Sequence, residues 1–302
     1  MGGTVVVLAG GTGGAKLARG MLDVVGDDLT VVANTADDIE IYGAYVSPDP
    51  DLCTFWLADR IDDRGWGVRG DTFEVMQGLR ELGVDVWFNL GDRDLAIGIQ
   101  RARRLGEGAR LTEAVAELAA AFGVSARVLP MCDEPVRTWV RAHARWMPFQ
   151  EFMIRERGEG SVQQTMLRGI GSALAPAEVR EALAGARAII IGPSNPVISI
   201  GPILAVPDMR QALLDSPAPI VAVSPIVGGE VLKGPTEAFL RSAGYPATTT
   251  AIATIYSGLI DGLVADEETE GMPVLRTDTL MGNAQGRRRV AAETLHFAEG
   301  LA

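Results

Sequence analysis

The first commitment in this chain is a glycine loop set directly behind a strand. Thr4-Val5-Val6-Val7-Leu8-Ala9 is a β-branched apolar run with the length of a buried strand. It empties into Gly10-Gly11-Thr12-Gly13-Gly14-Ala15-Lys16 before helical periodicity begins. Four glycines in five positions let the backbone approach an anion closely, and the amides that open the next helix point at whatever the loop holds. The loop matches neither standard nucleotide motif. Gly14-Ala15-Lys16-Leu17 lacks the Gly-Lys-Ser/Thr of a Walker loop. A dinucleotide fingerprint would need a small residue where Lys16 stands and an acid where Asn34 ends the second strand. An ordinary tight turn between strand and helix stays open as the alternative.

Farther along, strand and helix signals alternate. A second strand covers Leu29–Asn34, and a long acidic loop follows it. Helices are expected over Thr54–Asp62, Thr72–Leu82, Leu95–Arg104 and Thr112–Phe122, with a short strand at Val86–Asn89. Strands Ala188–Ile191 and Ile220–Val223 run into Gly192-Pro193-Ser194-Asn195-Pro196 and Ser224-Pro225-Ile226-Val227-Gly228-Gly229. This rhythm predicts an α/β, Rossmann-like, doubly wound and mainly parallel sheet covered on both faces. Between 126 and 168 the texture changes to short runs with aromatic and basic residues, including Val136–Ala142 and Phe149–Arg157, which suit antiparallel strands or a small inserted subdomain. The core then comprises residues 1–125 and 169–302. The carboxyl ends of parallel strands lie on one edge, so the glycine and Ser/Pro loops are expected to converge there.

Of the 302 residues, 47% are hydrophobic, enough for one large core, and the net charge of −12 disfavours nucleic acid and anionic membranes as partners. Any anionic ligand must be met locally, by amides, arginines or a metal. Cys53 and Cys132 are too few for a disulfide framework and are expected as reduced apolar residues. His143 and His296 are the only histidines, which excludes a multi-histidine metal site. No signal-peptide pattern precedes the first strand and the apolar runs are too short to span a bilayer, so the expected location is cytoplasmic.

The acidic loop carries Asn34-Thr35-Ala36-Asp37-Asp38 and Ser47-Pro48-Asp49-Pro50-Asp51. Hard carboxylate oxygens beside a phosphate loop suit magnesium bridging protein and substrate phosphates, although Asp37 and Asp49 read equally as cap or turn residues. Gly91-Asp92-Arg93-Asp94 offers an arginine for an anion or, more plainly, a capped helix start. Met131-Cys132-Asp133-Glu134-Pro135 adds two acids that a salt-bridged turn would also explain. No Ser-His-Asp or Cys-His arrangement is visible, which disfavours a covalent nucleophile.

Taken in order, these segments, with Phe149-Gln150-Glu151 and Thr277-Asp278-Thr279-Leu280-Met281, resemble the 2-phospho-L-lactate transferase family of deazaflavin coenzyme F-420 biosynthesis. The resemblance spans nearly the whole chain. It implies magnesium-dependent transfer of a phospho-acid from a guanylylated diphosphate donor to the ribityl hydroxyl of the deazaflavin Fo, with GMP leaving, in a homodimer. It assigns Gly10, Gly11, Thr12, Gly13, Gly14 and Lys16 to the donor's phosphates, and Asn34, Ser194 and Asn195 to the nucleotide. Asp38, Asp49 and Asp51 become metal ligands or contacts to Fo, with Asp49, Asp51 and Arg93 catalytic, and Asn89, Asp92 and Arg93 beside the acceptor. Leu52, Cys132 and Glu230 depart from the pattern and bear on the identity of the donor, lactyl, enolpyruvyl or glyceryl. Two other readings compete: a nucleotide-sugar-binding regulatory protein of the same superfamily, and an NAD-dependent oxidoreductase, which Lys16 and Asn34 disfavour.

Overall fold

The structure, a computed structural model, describes residues 3–231 and 234–302. The first βα unit forms as the sequence dictates: β1 (Thr4–Ala9), α1 (Gly11–Val25) and β2 (Leu29–Ala33). A short hairpin, β3 (Ile39–Ile41) and β4 (Ala44–Val46), interrupts the acidic loop ahead of α2 (Pro48–Leu57), α3 (Glu74–Glu81), α4 (Asp92–Gly106) and α5 (Leu111–Ala121). Next come β5 (Arg127–Pro130) and a three-stranded antiparallel sheet of β6 (Arg137–Ala142), β7 (Arg145–Pro148) and β8 (Gln164–Arg168). Then α6 (Ala177–Ala184), β9 (Ala186–Ile191), α7 (Ile200–Ala205), α8 (Met209–Leu214) and β10 (Ile220–Val223) restore the alternation. The chain ends with a hairpin, β11 (Ile226–Val227) and β12 (Glu230–Val231), followed by α9 (Thr236–Ser242), α10 (Thr249–Ile255), β13 (Gly262–Ala265), β14 (Val274–Arg276) and α11 (Ala284–Glu299).

Seven strands form one parallel sheet in the order β14-β13-β10-β9-β1-β2-β5. Side chains alternate across it with the period of two that a pleated strand imposes. Val5, Val7 and Ala9 pack under α1, α2, α5 and α11, while Val6 and Leu8 face the layer of α6, α7, α8 and α10. Leu17 and Met21 of α1 are fully buried on the first face, each worth roughly 1.5–3 kcal/mol relative to exposure. The fold is therefore the doubly wound α/β sheet expected from the sequence.

Several local expectations are corrected. Val86–Asn89 forms no strand; Val86 and Phe88 instead pack on the small cluster around Met76, Leu90 and Leu95. Arg127–Pro130 pairs with β2 in the main sheet, so the antiparallel sheet spans only 137–168. Glu151–Arg155 is a wide helical turn, not a strand. The helix expected at Thr54–Asp62 begins earlier, at Pro48, because Pro48 and Pro50 lie in its first turn, where a missing N–H costs no hydrogen bond. Asp49 and Asp51 consequently sit on a buried helix start and not on an open loop.

Candidate active site at the sheet switch point

β1 and β9 are neighbours, and the strand order runs outward from them in both directions. Loops leaving their carboxyl ends therefore part to opposite faces and leave a crevice. On the β1 side Gly11 takes a φ of +62°, a left-handed conformation that glycine adopts without a Cβ penalty. No side chain caps α1 from Gly10. The Gly11 N–H donates to Asp49 Oδ1 at 2.7 Å, and the Gly14 N–H to Ser194 Oγ at 3.0 Å. The first-turn amides of Thr12 and Gly13 have no partner within the helix, and both residues line a cavity of about 390 Å³. Gly10, Gly11, Lys16, Ser194 and Asn195 line it too, with Ser224, Thr236, Thr279 and Met153 opposite.

The glycines also answer to packing. A Cβ on Gly13 would lie 2.1 Å from the Pro193 carbonyl oxygen, and one on Gly14 2.8 Å from Ser194 Oγ. The two loops touch through main chain, which fixes the crevice width. Asn195 holds its own loop: its Oδ1 accepts from Val197 N at 2.9 Å and Ile198 N at 3.3 Å. Lys16 lies with its ammonium 5.8 Å from the centre of the Trp56 ring.

Beneath the glycine loop lies a buried acidic layer organised by Asn34. Its Nδ2 donates to Asp49 Oδ2 at 2.9 Å and Asp37 Oδ2 at 3.2 Å, while its Oδ1 accepts from Ala36 N at 2.9 Å. Asp38 accepts from Ser47 Oγ at 2.8 Å. Burial pushes Asp49 up to about 6 and Asp38 up to about 7, the latter opposed by Arg137 and Arg101. Burial, then the charge of Asp49, holds Asp37 well above the usual carboxylate range. Asp37 Oδ1 and Asp38 Oδ2 are buried without a hydrogen-bond partner. Hard, orphaned oxygens of this kind suit a divalent cation, though among the described residues no three Asp, Glu, His or Cys side chains form a cage for one.

The remaining sequence candidates lie elsewhere. Asp51 points to α4, where both its oxygens take hydrogen bonds from the Arg101 guanidinium. Asp92 caps α3, accepting from Thr72 Oγ1 at 2.6 Å, Val75 N at 3.0 Å and Glu74 N at 3.1 Å. Arg93 is exposed. Asn89 accepts from Arg80 at 2.6 Å and lines a smaller cavity of about 220 Å³ with Trp66, Phe73, Asp71 and Asp94. His296 is exposed, and His143 sits in the β6–β7 turn. Both cysteines are free and buried. Asp37, which the sequence leaves open between metal ligand and turn residue, lies in the buried layer, and Arg101 has no place in the sequence-level site. The signal for Arg101 was the stripe Leu95, Gly98, Arg101, which places it on the buried face of α4.

A crevice walled by main-chain amides and hydroxyls, with carboxylates one layer below, is what a nucleotide-handling α/β protein presents to a phosphate ester. The chain belongs to the 2-phospho-L-lactate transferase CofD family, whose profile matches residues 5–295. It is 37% identical over 298 residues to a 2-phospho-L-lactate transferase of Methanosarcina mazei, covering 95% of this chain and 98% of that protein. It is also 37% identical over 313 residues to a phosphoenolpyruvate transferase of Kitasatospora aureofaciens, covering 98% of each. Among solved structures, a Bacillus halodurans protein of the UPF0052 family superposes with a TM-score of 0.56 at 17% identity, over 92% of this chain and 88% of that one. That likeness concerns the fold. Family membership makes this chain a transferase and sets aside the regulatory binder and the oxidoreductase. No helix among the described residues is long and apolar enough to cross a membrane.

Proposed function

We propose that this chain transfers a phospho-acid moiety, 2-phospho-L-lactate or phosphoenolpyruvate, from a guanylylated diphosphate donor to the ribityl hydroxyl of Fo. GMP leaves, and the product is coenzyme F-420-0 or its dehydro form. The observation that carries this reading is the convergence of Thr12 and Gly13, at the start of α1, with the Ser194 loop on one cavity at the switch point. The relatives' names supply the transferred group.

In this account the loop amides bind the donor's diphosphate oxygens, and the N-terminal dipole of α1 favours the added charge. The hydroxyl oxygen attacks phosphorus, the bond to the bridging oxygen of GMP breaks, and the hydroxyl proton passes to Asp49, whose carboxyl near 6 is matched to that task. Asp37 and Asp38, with their orphaned oxygens, would hold magnesium, with Asp49 beside them. The ion would neutralise charge on the diphosphate. Asp51 is then a structural partner of Arg101 and not a ligand. The protein acts in the cytoplasm as a homodimer. Incubation with Fo, magnesium and each guanylylated donor tests the reading: GMP and a product with the mass of Fo plus donor minus GMP are expected, and no GMP with any donor would refute it.

A further inference from the structure

One buried cation stands outside the reaction scheme. Arg101 on α4 is 3% exposed, in a protein whose other arginines lie at or near the surface among the described residues. Its guanidinium binds both oxygens of Asp51 on α2, and its Nη1 also donates to the Tyr45 carbonyl on β4 at 2.9 Å. Its charge acts on Asp38, behind the glycine loop, and on Asp94, which lines the smaller cavity. One guanidinium is thus bonded to one carboxylate and acts at longer range on two others from separate segments. Arg101 Nε is buried with no acceptor among the protein's own atoms.

We propose that Arg101 is the internal counter-cation of the transfer site, a positioning residue that keeps α2 clamped to α4 so that Asp49 meets Gly11, and that lets the acidic layer exist before substrate arrives. This rests on the transfer reaction proposed above. α2 carries both contacts: Asp49 faces the glycine loop and Asp51 the guanidinium. Removing the clamp frees the helix start that aims Asp49. Removing the charge leaves Asp38, Asp51 and Asp94 uncompensated, which makes the layer a stronger trap for a free divalent cation.

The test compares wild type with Arg101→Lys, Arg101→Met and the double variant Arg101→Met/Asp51→Asn, the last removing both partners so that no lone charge is buried. In Arg101→Met and the double variant, kcat is expected to fall about 100-fold with the donor KM changed less than about threefold, because the loop amides are held independently of α4. Arg101→Lys should recover part of the loss, by about tenfold, since it keeps the charge but not the two-pronged contact. Mn²⁺ titration by electron paramagnetic resonance should show tighter binding to Arg101→Met than to wild type, and binding close to wild type in the double variant, which loses one charge of each sign. A folded double variant with wild-type kcat, or an Arg101→Met variant whose Mn²⁺ binding is unchanged or weaker, would overturn the proposal and leave Arg101 as a simple strut. Should wild type release no GMP, the reaction assignment fails, and the Mn²⁺ comparison still decides the role of Arg101.

Discussion

Asp49 Oδ1 accepts the Gly11 N–H at 2.7 Å, tying a buried carboxylate on α2 to the first residue of α1 within the phosphate-type loop. Asn34 closes the arrangement by donating to Asp49 Oδ2 at 2.9 Å. The loop and the acidic layer form one unit through Asp49, while the Gly14 end of the loop is held separately by Ser194.

Asp49→Asn tests that unit. The new amide nitrogen would face either the Gly11 N–H or the Asn34 amide, donor against donor. Turnover is expected to fall about 100-fold or more, on the scale of losing a catalytic proton acceptor. The fold should survive, since the substitution removes a charge that burial disfavours. Turnover within about twofold of wild type, with Tm unchanged, would remove Asp49 from the chemistry.

The pH dependence has a definite sign. Asp38 and Asp49 have folded-state values raised to about 7 and about 6, against about 4 when unfolded. Their contribution to stability is fully present below pH 4 and is lost as pH rises through 6 and 7. Asp49→Asn should therefore gain stability relative to wild type between pH 5 and pH 8, measured by denaturant unfolding without divalent ions. A constant difference across that range would contradict the raised value for Asp49.

Gly13→Ala separates packing from ligand contact. Its Cβ would meet the Pro193 carbonyl oxygen at 2.1 Å, and that oxygen belongs to backbone. Stability should drop by about 1–3 kcal/mol as the Pro193–Asn195 loop shifts, with donor binding weakened in parallel. Donor binding is read by calorimetry on the folded fraction. Full stability with full donor affinity would mean that the loops do not touch as described.

For Asp92, a cap role and a place beside the acceptor predict different outcomes. As a cap of α3 it should tolerate Asn and suffer from Ala, so Asp92→Ala lowers Tm while Asp92→Asn retains both Tm and turnover. Loss of turnover in Asp92→Asn at unchanged Tm would instead put the carboxylate in contact with substrate.

The sheet was legible because Val5–Ala9, Ala188–Ile191 and Ile220–Val223 are unbroken aliphatic runs of the kind a buried parallel sheet accommodates, each followed by glycine or serine. The loops of the site followed from that edge rule. What escaped had physical reasons too. Pro48 and Pro50 read as loop residues, yet the first turn of a helix is where proline does no harm, so the burial of Asp49 and Asp51 was not foreseen. Arg101 sits in the run Gln100-Arg101-Ala102-Arg103-Arg104, whose composition suggests a solvated face, and only its spacing from Leu95 and Gly98 marks it as inward. The partner of Asp51 lies 50 residues away in sequence, a contact that no local pattern announces.

The most direct test of the central claim is single-turnover GMP release with the guanylylated lactyl donor, run with and without Fo in the presence of magnesium, with intact-protein mass followed in parallel. Direct in-line transfer predicts GMP release only when Fo is present, an unmodified protein mass and a product carrying the phospho-acid on Fo. Stoichiometric GMP release without Fo, together with a protein mass increased by the transferred group, would contradict it.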